Sequence, residues 1–171
     1  FFTLSVVNLL ELIFGADLMV SVLVAYDTQY GNTKRVAETI AQGLQTAREI
    51  KATILDIKDV DKKAIPTFDA FLVGSPTHMG GPTRTSKKFI ERLGKLKLEG
   101  KRIAVFDTYI RDDFEKSTRK MEERIRREVP GLTIVLPGLS IRVDAMRGPI
   151  AEGELPKCLE FGKRVAALLR K

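Results

Sequence analysis

The segment Asp27-Thr28-Gln29-Tyr30-Gly31-Asn32-Thr33 gathers two threonine hydroxyls, two side-chain amides and a phenol around a single glycine. It follows the apolar run Val20–Ala25 and leads into a helix-forming stretch. A tight turn at a helix start collects backbone N–H groups and the positive end of the helix dipole. With hydroxyl donors beside it, such a turn suits a phosphate. A capped turn that binds nothing has the same composition, so the decision falls to two later segments. These are Gly74-Ser75-Pro76-Thr77-His78-Met79-Gly80-Gly81-Pro82 and Asp107-Thr108-Tyr109-Ile110-Arg111-Asp112. The chain holds one histidine, His78, and one cysteine, Cys158. No intrachain disulfide or cysteine-rich metal site can be built from them, and no catalytic acid–base pair is evident.

Elements of alternating type place these segments. Val20–Ala25 is Val-rich with little polar alternation, as expected of a parallel strand covered on both faces. Thr33 to about Arg48 has Val36, Ala37, Ile40, Ala41 and Leu44 on one helical stripe. Ala52–Ile57 reads as a second strand, bounded by the Asp-Lys cluster 58–63 and Pro66. Phe71–Gly74 reads as a short third strand, and the Pro and Gly after it predict an irregular loop. Helices are predicted from about Thr83 to Leu96 and from Asp113 to Val129, where Pro130-Gly131 stops the second. Between them Arg102–Thr108 is a fourth strand. Leu132–Leu136 and Leu139–Val143 make a fifth, interrupted by Pro137-Gly138. A last helix over Glu154–Leu169 would bury Leu155, Leu159, Val165, Leu168 and Leu169. Five alternations of strand and helix imply an α/β sandwich with a five-stranded parallel sheet between helical layers.

The residues Thr28-Gln29-Tyr30-Gly31-Asn32-Thr33 resemble the phosphate loop of the flavodoxin family, roughly T/S-x-T-G-x-T after the first strand. Tyr30 departs from it, standing where many members carry a small hydroxyl residue. Gly74-Ser75-Pro76-Thr77-His78-Met79-Gly80-Gly81 resembles the G-S-P-T-x-x-G-G loop that lines one side of the isoalloxazine ring in this family. Phe106-Asp107-Thr108 and the later segment Arg147 to Leu155 are similar to F-D-T and G-P-L-x-x-G-E-L segments of a group of flavodoxin-domain proteins. The resemblance covers about residues 19–171. It implies strand order 2-1-3-4-5, FMN as cofactor and an electron-transfer role with redox partner proteins, a reductase or an acceptor. It further implies a phosphate on the 28–33 turn. Ser75, Pro76, Thr77, His78, Met79, Gly80 and Gly81 would lie along one side of the ring, with Asp107, Thr108 and Tyr109 along the other. His78 takes a position often aromatic in the family, and Tyr109 is the candidate for stacking on the outer ring face. The third loop lacks the family's usual glycine, so a backbone flip there would cost more.

At 171 residues and 19.1 kDa the chain fits one domain. Residues 1–18 are apolar, begin without Met and are followed by Met19, so they read as an upstream extension to a domain over 19–171. They lack the charged start of a signal peptide, and Asn8, Glu11 and Asp17 interrupt the roughly 20 apolar residues a membrane span needs. Their only charges are Glu11 and Asp17, so a net charge of +7 for the whole chain leaves +9 on the rest. It suits acidic partners, and nucleic-acid binding would rest on charge alone without aromatic–basic interleaving. The scarcity of cysteine points to the cytoplasm. Two rival readings remain. One is a flavin-dependent reductase or oxidase acting on a quinone-like or porphyrinogen-like substrate. The other is a receiver-type signalling domain, which Gly74-Ser75-Pro76 disfavours because no phosphorylatable Asp ends the third strand.

Overall fold

A computed structural model describes residues 19–170. The expectation for residues 1–18 lies outside them. β1 (Val20–Tyr26) is buried from Val22 onward. Val22, Val24 and Tyr26 point into one core, while Leu23 and Ala25 point into another. The strand reads as continuously apolar because neither of its faces meets water.

β2 (Ile50–Asp56) and β3 (Ala70–His78) flank β1, both parallel to it. β5 (Arg102–Tyr109) lies parallel to β3, and β6 (Thr133–Ile134) and β7 (Leu139–Arg142) lie parallel to β5. β4 (Gly81–Pro82) pairs antiparallel with the end of β3. The sheet thus has seven strands in the order β2-β1-β3-β5-β6, with β7 also on β5. With β4 set aside as an appendage and β6 and β7 taken as one interrupted strand, this is the expected 2-1-3-4-5 order. Helices α1 (Asn32–Leu44) and α4 (Leu155–Leu169) share one core with the sheet. Helices α2 (Arg84–Gly94) and α3 (Lys116–Glu128) share the other.

The structure corrects the sequence reading in four places. The alternation fails once, because β2 and β3 are joined by two short 3₁₀ turns, Ile57–Asp59 and Ile65–Thr67. The Asp56 carboxylate accepts from Lys58 N–H and closes the first turn, and Ile57 and Ile65 plug the core in place of a helix face. α1 ends at Leu44, not Arg48, and continues as tight turns through Ala47. Leu168 is exposed, while Cys158 and Phe161 are buried in the same helix. Residues 158, 161, 165 and 169 fall on one stripe, and Leu168 lies just past its edge, about 20° beyond Phe161, where the sheet no longer covers it.

The fourth correction concerns β3, which continues through Ser75-Pro76-Thr77-His78 where an irregular loop is predicted. The Gly74 carbonyl accepts from Asp27 N–H on the β1 side. By the two-residue alternation of a parallel ladder, the nitrogen of Pro76 faces that side too. There β1 has already ended, since its last pair with β3 is Tyr26 with Gly74. The missing N–H of proline therefore breaks no ladder bond.

α1 and α4 meet at glycines. A Cβ on Gly43 would come within 2.1 Å of the Leu159 carbonyl, and one on Gly162 within 2.1 Å of the Ile40 carbonyl. Gly162→Ala should therefore destabilise the fold by about 1–3 kcal/mol through overpacking. That loss exceeds the roughly 1 kcal/mol that alanine gains in helix propensity. Urea denaturation reads the difference, and an unchanged or higher midpoint would mean that the helices can separate freely.

Candidate functional site

β1, β3 and β5 end at the same edge of the sheet, so the segments that follow them converge. In the first, Thr28 Oγ1 accepts from Gly31 N–H at 3.0 Å and draws the turn closed. Gly31 takes φ +89°, which places it in the left-handed region that glycine enters without strain. No side chain caps α1. Its first N–H groups have no intrahelical acceptor and are left for something else to satisfy.

In the second, Thr77 pairs with Pro82 and His78 with Gly81, leaving Met79 and Gly80 as a two-residue turn. Both have positive φ, 51° and 72°. That combination defines a type I′ hairpin, the form whose twist suits the strands it joins. Met79 enters the left-handed region without being glycine and is fully exposed. Thr77 Oγ1 is buried with no hydrogen-bond partner among the described residues. In the third, Thr108 Oγ1 and Thr33 Oγ1 lie 2.8 Å apart and tie this segment to the start of α1. Tyr109 meets Phe114 edge to face at 5.6 Å between ring centroids. Burial and the nearby Glu154 carboxylate push the Tyr109 phenol up from its ordinary value, so it stays protonated.

These segments enclose a cleft of about 480 Å3. It is lined by Thr28, Gln29, Tyr30, Asn32 and Thr33 from the first, Pro76, Thr77, His78 and Met79 from the second, and Thr108 and Tyr109 from the third. Five of the residues singled out from sequence lie outside this lining. Gly31 shapes the turn, and Gly80 and Gly81 form the hairpin and its short strand. Ser75 is fully buried and its hydroxyl accepts from Thr83 N–H at 3.0 Å. Asp107 is fully buried too, accepting from the Ser140 hydroxyl at 2.5 Å and from Thr118 N–H at 3.0 Å.

Sequence reasoning missed Ile110, Asp113, Val143 and Met146, which also line the cleft. The last two belong to a fourth segment, after β7. Tyr30 Oη donates to Met146 Sδ at 3.8 Å, and the Arg147 guanidinium sits 5.6 Å from the Tyr30 ring centroid. A Cβ on Gly148 would come within 3.0 Å of Asn32 Oδ1. The motif at Arg147–Leu155 was the available signal, since it marked this segment as unusual without placing it. Cys158 is buried and its thiol is pushed up to about 12, chiefly by desolvation, so it is no nucleophile. No cluster of three or more His, Cys, Asp or Glu suited to a metal occurs among the described residues.

A family model described as "Flavodoxin domain" matches residues 23–141. The chain belongs to the flavodoxin family. Flavodoxin of Aquifex aeolicus (strain VF5) is 40% identical over 96 residues, which are 53% of this chain and 50% of that protein. Flavodoxin of Clostridium saccharobutylicum is 31% identical over 85 residues, 50% of this chain and 53% of the relative. The chain thus spans about half the length of these curated relatives. Among solved structures, a flavodoxin from the domain Archaea superposes with a TM-score of 0.74 at 25% identity, over 86% of this chain and 97% of that one. Flavodoxin 2 from Bacillus cereus gives 0.72 at 24% identity, over 86% and 99%. Flavodoxins bind FMN and pass electrons to partner proteins.

Beneath the third segment, burial pushes the Asp107 carboxyl up to about 6, against the opposing hydrogen bonds from Ser140 and the start of α3. Because that value lies above the ordinary 3.8, its stabilising contribution is complete below pH 4 and is lost as pH rises through 6. Asp107→Asn cannot ionise. The stability of the parent relative to this variant should therefore fall by roughly 3 kcal/mol or less between pH 4 and pH 7, a bound set by the shift. Chemical denaturation at several pH values measures it, and a pH-independent difference would refute the assignment.

Proposed function

We propose that this chain binds one FMN in the cleft and serves as an electron carrier between redox proteins. The observation that carries the reading is the meeting, in one cleft, of the uncapped start of α1 with the unpartnered buried hydroxyl of Thr77. Both are polar groups that folding has left unsatisfied, and phosphate and flavin oxygens are acceptors of the kind they lack. The donor set fits the cofactor.

The phosphate would lie on the backbone N–H groups of residues 29–33. The Thr28 hydroxyl already accepts from Gly31 and keeps its own proton to donate. The Thr33 hydroxyl is steadied by Thr108. Pro76, Thr77, His78 and Met79 would border one side of the ring, with Thr108 and Tyr109 along the other. Bound FMN supplies the redox chemistry, taking up electrons and giving them back. The protein orients the group, presents hydroxyl donors and excludes water with Pro76, Ile110 and Val143. No residue need act as acid or base. The domain would comprise residues 19–171. The single, buried cysteine supports a reducing compartment such as the cytoplasm, and no helix among the described residues is long and apolar enough to cross a membrane.

Titration of the purified protein with FMN should quench flavin fluorescence at one equivalent. Thr33→Val should weaken binding by roughly tenfold or more, the loss of one hydrogen bond to a charged group. Absence of quenching by the parent would overturn the reading. The FMN-loaded protein should not oxidise NAD(P)H without a separate reductase, and oxidation would favour the reductase alternative.

A further inference from the structure

A second hollow, of about 500 Å3, lies between α2 and α3 and shares His78 and Met79 with the cleft. Its walls carry Arg84, Lys87, Lys120, Arg124 and Arg127 against one acidic residue, Glu123. The imbalance extends over the whole layer. α2 and α3 together hold ten Lys and Arg against four Glu, which accounts for most of the net charge of +7. Arg124 and Arg127 are partly neutralised by Glu128, whereas Arg84 and Lys87 form no ion pair among the described residues. Lys120 Nζ donates to the Gly80 carbonyl at 2.7 Å, so the floor of the groove grips the hairpin at the cleft mouth.

We propose that this groove is the docking surface for an acidic redox-partner protein. The proposal rests on the carrier reading above. A partner must approach the mouth of the cleft, and the groove borders that mouth through the hairpin. Met79, fully exposed at their boundary, offers an apolar contact beside a cationic wall. Charge complementarity of this kind steers encounter and fixes orientation, and it weakens with salt. A nucleic acid fits less well, because no Phe, Tyr or Trp lines the groove for base stacking.

The test is titration of 15N-labelled, FMN-saturated protein with a ten-residue polyglutamate peptide, followed by backbone NMR shifts. Saturable shifts at Arg84, Lys87, Lys120 and the Met79-Gly80 turn are expected, with affinity falling at least about tenfold between about 0.05 and 0.3 M salt. The double substitution Arg84→Glu/Lys87→Glu should weaken binding about tenfold, and the neutral pair Arg84→Gln/Lys87→Gln should weaken it less but in the same direction. Lys163→Glu/Arg164→Glu, an equal charge change on exposed α4 residues, should alter it by less than about twofold. Equal weakening by both reversals, no saturable binding, or tighter binding of a ten-residue oligothymidylate at the same residues would overturn the proposal. FMN binding by the same variants separates the two ideas. Retained FMN binding without peptide binding sinks the docking surface alone. Peptide binding by a chain that takes no FMN sinks the carrier reading and, with it, the redox character of the partner.

Discussion

A carboxylate enclosed by protein must find donors or forfeit its charge. Asp107, at the end of β5, finds them in the Ser140 hydroxyl of β7 and the backbone at the start of α3. Those two bonds hold the third cleft segment against its neighbours. A similar arrangement recurs two strands over, on the far side of β3. Asp27 accepts from the Thr83 hydroxyl at 2.6 Å, and Thr83 in turn caps α2 through Ser86 N–H. The sheet edge is thus pinned by acids whose partners come from other elements. The cleft-lining side chains stand on this pinned edge, and among them Thr77 keeps a buried hydroxyl without a partner.

The division of labour between neighbouring residues follows from it. Ser75, Asp107 and Thr83 are consumed by the scaffold, while Thr77 and Thr108 are turned toward the cleft. Along a strand, adjacent side chains face opposite ways, so Asp107 and Thr108 part company for reasons of pleat alone. The α1 helix start is likewise left open where α2 is closed by Thr83. The two helices start differently because one meets the cleft and the other meets the groove outside it. Uneven charge adds a direction to the molecule, since α2 and α3 carry far more cations than the α1 and α4 layer.

The layered α/β architecture was legible from particular stretches. The Val-rich run before Asp27 could only be a strand buried on both faces, and the stripe at Val36, Ile40 and Leu44 could only face a core. The loop motifs named the family, and the segments that carry them do meet at one edge. Less was legible between β2 and β3, where two isoleucines on 3₁₀ turns do the work of a helix. Neither periodicity nor propensity marks such a plug.

What the sequence determined by itself is what local pattern encodes: the alternation of apolar runs with helical stripes, the tight turn at Gly31 and the net positive charge. The tertiary structure alone decided which loop residues look outward. Ser75 and Asp107 are polar residues in a motif, and only the positions of Thr83, Ser140 and Thr118, distant along the chain, show that they are already satisfied. Pro76 reads as a breaker until β1 is seen to stop short of it. Val143 and Met146 join the cleft because β7 delivers them beside β5, whose Phe106 pairs with Leu139 from much later in the chain. Such facts depend on contacts between remote segments, and spacing within a sequence carries no record of which remote segments will meet.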